Sequence, residues 1–212
     1  LLPLVQTDSP QGTPPENTGS EHPSPAASLA TCLEAIQRLD AGALETACMR
    51  AAVAFGQIVL LEKIIIPFME HIGDAWRDGT ARIAHEHLAS VVVRTFLESM
   101  RGAFKLPPSA PALIVTTPAG QLHEFGALIV AFTAAAEGWR VTYLGPNLPA
   151  EEIVGAAQQL QAKAVCLSIV YPPDDPHLPQ ELLRIRRYLA ENVVLFVGGR
   201  AAAHYCKEID MS

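Results

Sequence analysis

Three features of the sequence predict an α plus α/β fold: apolar residues at helical spacing from Leu29 to Phe104, a proline-rich break over 104–111, and strand-length apolar runs alternating with helical stripes beyond it. The expected architecture is an antiparallel four-helix bundle followed by a flavodoxin-like, Rossmann-type, doubly wound parallel sheet.

Residues 1–28 hold six of the 17 prolines, many small polar residues and no apolar period, so they read as a linker or tail. Leu29, Cys32, Leu33, Ile36 and Leu39 form a first helical stripe that stops at Asp40-Ala41-Gly42. A second runs from Ala43 through Ala47, Cys48 and Ala51 to Phe55 and ends at Gly56. The apolar segment from Ile58 to Trp76 contains Pro67, which should kink it or divide it in two. After Asp78-Gly79-Thr80 a last helix is expected from about Arg82 to Phe104, so the bundle occupies 29–104. Pro107, Pro108 and Pro111 then exclude both helix and central strand and mark a boundary.

From 112 to 212 strands are predicted at 112–117, 140–144, 164–168 and 193–197, with helices at about 124–137, 150–160, 179–190 and 201–209. A complete flavodoxin-like sheet wants a fifth strand, and none is expected here.

Half of the 212 residues are apolar, enough for a sizeable core. With 22 acidic residues against 15 basic and a formal charge of -7, the chain lacks the clustered positive face that gripping DNA requires. Cys32, Cys48, Cys166 and Cys206 are far apart in sequence, which suggests neither a zinc site nor a disulfide framework. No signal peptide and no membrane span are read, so the cytoplasm is the expected compartment. The chain begins with Leu, as a fragment or processed form would.

The residues with chemical potential fall at the carboxyl ends of the predicted strands, where open α/β sheets bind ligands. His123, in Gly120-Gln121-Leu122-His123-Glu124-Phe125-Gly126, follows the first strand; its imidazole could ligate a metal, and Gly126 leaves room for a flat ligand. Ser168 ends the third strand and could donate to a buried ligand. Gly198-Gly199 ends the fourth, where a planar group or a nucleotide-like tail could pass close to the backbone. In the helical half, Trp76 closes one helix and Glu86-His87 open the next, so all three stand near one end of a hairpin.

The succession His123-x-x-Gly126, Tyr143-Leu144-Gly145-Pro146-Asn147-Leu148-Pro149, Ser168-Ile169-Val170 and Gly198-Gly199 resembles the cobalamin-binding domain of methionine synthase and corrinoid carrier proteins, over roughly 112–205. The resemblance implies that His123 displaces the cofactor's own dimethylbenzimidazole and ligates cobalt from below. The displaced tail would then run beside Ser168 and Gly198-Gly199. The sequence departs from the family at Gln121, where an acid is usual; an amide oxygen could still accept from the imidazole N–H, without adding negative charge. The spacing W-x9-E-H, with Ile64-Ile65-Ile66-Pro67-Phe68 and Ala84-His85-Glu86-His87-Leu88-Ala89-Ser90 around it, resembles CarH-type photoreceptors of the MerR family of regulators.

That resemblance implies adenosylcobalamin as cofactor, held by Asp74, Trp76, Ile83, Glu86 and His87 on one side. On the other side it implies Gln121, His123, Glu124, Phe125, Gly126, Ser168, Val170, Gly198 and Gly199. It assigns Trp76 to capping the adenosyl group, Asp74 and Glu86 to accepting from its ribose or adenine, and His87 to serving as an upper axial ligand after photolysis. The implied output is a change of homo-oligomeric state that controls transcription, with DNA reached only through a helix-turn-helix domain not in this chain or through a partner. No enzymatic activity is expected. The alternatives are a corrinoid carrier in a methyl-transfer system, a cobalamin-level sensor without light response, and a flavodoxin-like interaction domain with no cofactor.

Overall fold

The computed structural model describes residues 24–209, so most of the linker expected over 1–28 lies outside the described residues. The first helix, α1 (Pro25–Gln37), begins four residues before Leu29 because Ser24 and Pro25 form a start signal. The Ser24 hydroxyl accepts the Ala27 N–H at 3.1 Å, and Pro25 occupies the first turn, where its missing N–H is not needed. Asp40, read as part of a stop, caps α2 (Ala41–Ala54) by accepting the Ala43 N–H at 2.9 Å.

Pro67 divides the next segment. It comprises α3 (Gln57–Leu60), a π-helical turn over Leu61–Ile65 in which the Ile66 N–H donates to Leu61 O, and α4 (Ile66–Arg77). Pro67 sits in the first turn of α4, past the widened turn, where no N–H is demanded of it. The last helix of this half, α5 (Ile83–Gly102), packs against α2 and α4.

The remaining strands and helices alternate as β1 (Ala112–Thr116), α6 (Phe125–Ala136), β2 (Arg140–Tyr143), α7 (Ala150–Gln159), β3 (Ala164–Ser168), α8 (Leu178–Tyr188), β4 (Val194–Gly198) and α9 (Ala202–Ile209). All the pairings are parallel, in the order β2-β1-β3-β4, and there is no fifth strand among the described residues. β1 is central and buried along its whole length, as its continuous Ala-Leu-Ile-Val-Thr run requires. The chain winds from β1 to β2 on one side and returns to β3 on the other, so the strand order reverses at β1, and the crevice between the loops after β1 and β3 is the expected ligand position.

One face of the sheet places Ile114, Val165 and Leu167 against α7, α8 and α9; the other places Leu113, Val115 and Ala164 against Ala127 and Ala131 of α6. The outer side of α6 carries Leu128 and Phe132 into the core of the helical half, among Phe68, Val93, Phe96 and Leu97. α6 therefore belongs to both cores, and α5 lies along it. In that core the side-chain hydrogen bond with Cys32, and after it burial, raises the Cys48 thiol above its ordinary range; both cysteines are free.

Phe132 is 1% exposed and anchors α6, whose opposite side packs on the sheet, in the helical core. Phe132→Ala is expected to lower stability by about 3–5 kcal/mol, with the helical and sheet halves losing structure in one transition on urea denaturation followed by circular dichroism and Trp fluorescence.

Candidate functional site at the carboxyl edge of the sheet

The loop between β1 and α6 is held from three sides before it presents His123. Gly120 turns the chain at φ 85°, and its N–H donates to Asn147 Oδ1 at 2.9 Å. The Asn147 N–H donates to Thr117 Oγ1 at 2.9 Å, and the Thr117 hydroxyl in turn donates to the Gln121 carbonyl. Thr116 Oγ1 donates to Gly145 O at 2.6 Å. The loops after β1 and β2 are thus stitched together by buried threonines, which extended strands place readily at their ends.

His123 emerges from this web exposed to solvent, its ring meeting the Tyr171 ring edge-on at 5.6 Å between centroids. Gln121 does not face it. The Gln121 side chain is fully buried and its Oε1 accepts the Val170 N–H at 3.1 Å and the Tyr171 N–H at 3.2 Å, while Nε2 donates to Pro172 O at 3.4 Å. The expected hydrogen bond from imidazole to Gln121 is therefore replaced by a clamp on the loop after β3, and Val170 contributes its backbone to that clamp.

Glu124 and Phe125 also turn away from the position expected of cofactor contacts. Glu124, its side chain 11% exposed, pairs with Arg94 of α5 and accepts from the Tyr143 hydroxyl. A carboxylate so nearly buried needs such partners, and α5 and β2 supply them. Phe125 packs against the helical core, an apolar ring following the apolar side of α6. These two residues join the His123 loop to the helices. A second tie runs from Arg200 after β4 to Glu70 of α4 at 3.3 Å, and Arg101 of α5 donates to Val141 O at 3.3 Å.

Three residues past His123, at Gly126, a slot of about 150 Å³ opens between α6 and the sheet, lined also by Val115, Ala127, Val130, Ser168, Phe196 and Gly198 among others. A side chain on Gly126 would bring its Cβ within 2.6 Å of Ser168 Oγ, so glycine leaves that hydroxyl its space. Ser168 is 5% exposed and, among the described residues, its hydroxyl has no hydrogen-bond partner, which leaves a buried donor on the wall of the slot. Gly199 has a different reason from the one expected. At φ 103° its Cβ would fall 2.3 Å from the Ile169 carbonyl oxygen, so the close approach of the β3 and β4 loops demands it, while Gly198 lines the slot itself.

In the helical half Trp76 is half exposed at the end of α4 and Ile83 is 60% exposed at the start of α5. Asp74 pairs with Arg77, and Glu86 accepts from Ser90 Oγ at 3.0 Å with His87 Nδ1 3.7 Å away. The His87 side chain is 75% exposed. His85, which had no assigned role in the sequence, accepts the Arg82 N–H at 3.0 Å and caps α5. Tyr171 and the Thr117–Asn147 pair were also unassigned. Their signal was the same one that marked Ser168: polar and aromatic residues directly after strand ends.

An exposed imidazole at the reversal of strand order, next to a slot with an orphaned hydroxyl and a glycine that cannot be enlarged, fits a corrinoid. His123 would meet the metal and Ser168 the displaced tail. Residues 111–209 match the B12 binding domain, and residues 29–99 match a second family model of the same description. Both halves belong to B12 binding domain families. The B12-binding chain is 30% identical over 170 residues to the HTH-type transcriptional repressor CarH of Myxococcus xanthus, covering 80% of this chain and 56% of the relative. It is 34% identical over 127 residues to the HTH-type transcriptional repressor CarA of the same organism, covering 60% of this chain and 44% of that one. The chain thus spans about half the length of these curated relatives. Its fold matches the structure of the Methanosarcina barkeri monomethylamine corrinoid protein, with a TM-score of 0.64 at 16% identity over 89% of this chain and all of that one. No helix among the described residues is long and apolar enough to cross a membrane.

Cys166 borders the slot, and burial raises its thiol from 9.0 to about 11. A thiol whose pKa is raised on folding contributes stability that is full below pH 9.0 and lost as pH rises through about 11. Cys166→Ala is therefore expected to flatten the loss of stability across that window, measured by denaturant titration at stepped pH. An unchanged slope would show that the thiol titrates freely. Tyr143, raised to about 12 mainly by burial, is expected to govern the higher end of the decline in both proteins.

Proposed function

We propose that this chain is a light-sensing regulatory module that uses adenosylcobalamin as its chromophore and changes its oligomeric state to control transcription. The observation that carries the reading is the juxtaposition of the exposed His123 with the slot holding the unpartnered Ser168 hydroxyl, joined by ion pairs to helices that bear the W-x9-E-H spacing. The similarity to the CarH and CarA repressors supports the regulatory part.

Adenosylcobalamin held here would supply a carbon–cobalt bond that visible light cleaves. His123 would hold the metal through an imidazole nitrogen, and Ser168 would donate to the displaced tail in the slot. Trp76 and Ile83, both exposed, offer apolar surface that would exclude water from the bound cofactor. His87 stands on α5 as a second imidazole with freedom to move, its side chain three-quarters exposed. The helices bearing these residues act as a cap, in this reading an antiparallel four-helix bundle. The Arg94–Glu124 and Glu70–Arg200 pairs are the fixed ties against which the cap shifts. The -7 charge assigns DNA contact to a helix-turn-helix outside this chain or to a partner, with no membrane involved.

Purified chain is expected to take up adenosylcobalamin in the dark with a spectrum characteristic of axial imidazole, to change irreversibly under green light, and to change its elution volume on size exclusion. His123→Ala should weaken uptake at least about tenfold, or roughly 1.4 kcal/mol, and abolish the imidazole signature. A spectrum indifferent to light, or tight preference for methylcobalamin, would replace the sensor with a corrinoid carrier or a cobalamin-level sensor; no uptake at all would remove the cofactor.

A further inference from the structure

We infer that Tyr171, positioned by Gln121, orients the His123 imidazole, so that an aromatic brace stands where a hydrogen-bonding side chain two residues before the histidine was expected. The inference rests on the proposed role of His123 as an axial ligand. It concerns how that ring is held.

Gln121 is fully buried, and the chemistry around it suits only an amide. Its oxygen receives two backbone N–H groups, from Val170 and Tyr171, and its nitrogen gives to the Pro172 carbonyl. A carboxylate could accept the first two bonds but would set an oxygen against the Pro172 oxygen with no proton between them. With both lone pairs engaged, the Gln121 oxygen has nothing to offer the imidazole. Among the described residues no hydrogen bond to the His123 ring is formed, and its one ring contact is Tyr171, edge-on at 5.6 Å and 73°.

Tyr171 is 60% exposed, and such a side chain on a free loop would sample many directions. Here the backbone at 170, 171 and 172 is fixed by a single buried amide, with Ile169 anchored further by its N–H to Gly198 O at 2.8 Å and by the Ala201 N–H to its carbonyl at 3.1 Å. The tyrosine therefore projects from a rigid base, and its ring limits the rotation of His123 by packing. The phenol oxygen has no part in this; the ring is what matters.

The test compares Tyr171→Ala, Tyr171→Phe, Gln121→Glu, the double variant Gln121→Glu/Tyr171→Ala, and His123→Ala, each titrated with adenosylcobalamin in the dark. The axial imidazole is read from the absorption spectrum and from nitrogen splitting in the paramagnetic resonance of the reduced cobalt form. Tyr171→Ala is expected to weaken affinity about tenfold and to reduce the nitrogen-coordinated fraction while the melting temperature stays put, since the residue is largely exposed. Tyr171→Phe should match the parent. Gln121→Glu should reproduce the Tyr171→Ala spectrum, and the double variant should add nothing, because both changes release the same brace.

A parent-like nitrogen splitting in Tyr171→Ala, or a Gln121→Glu variant with a strengthened imidazole signature, would overturn the inference. If His123→Ala itself keeps the parent spectrum, the axial role fails instead, and the two failures are told apart by that variant.

Discussion

The ligand edge of this protein depends on how one buried amide is satisfied. Gln121 has no exposure to solvent, so its oxygen and nitrogen must find partners inside the protein, and they find them on the backbone of the loop that follows β3. That requirement draws the loops after β1 and β3 together across the point where the strand order reverses. The Thr117 hydroxyl, bonded to the Gln121 carbonyl and receiving the Asn147 N–H, extends the same arrangement to the loop after β2. Three loops thereby become one surface, and His123 stands on it with its ring exposed.

A second constraint joins this surface to the helices. α6 is apolar nearly all round, since it packs on the sheet through Ala127 and Ala131 and on the helical core through Leu128 and Phe132. Glu124, directly before that helix, is nearly buried and draws on Arg94 of α5 and Tyr143 of β2 for its charge. The loop that carries the candidate metal ligand cannot move independently of α5. In a sensor this is the mechanical link between a change at the ligand and a change in the helices, and it is formed by Glu124 and Phe125, the two residues that follow His123.

Much of the fold was legible before any coordinates. Continuous apolar runs such as Ala112–Thr116 and Ala164–Ser168 can only be central parallel strands once helical stripes alternate with them, and Pro107, Pro108 and Pro111 separate the two regimes. The start of α1 was misplaced because Ser24-Pro25 was counted with the prolines of the tail, although it is a capping pair. The site was legible in part. His123 and Ser168 were singled out because strand ends in such sheets face ligands, and the structure places both at that edge. Gln121 and Glu124 were given to the cofactor by proximity in sequence, whereas their true partners are 49 and 30 residues away.

The sequence by itself determined the class of fold, the position of the break and the edge of the sheet on which His123 and Ser168 fall. Periodicity and turn chemistry are local, and a βαβ repeat has only one handedness available. What only the tertiary structure decided was the occupation of each polar group. A buried amide or carboxylate takes whichever donor or acceptor the packed neighbours bring to it, and those neighbours are chosen by the folding of distant segments onto one another.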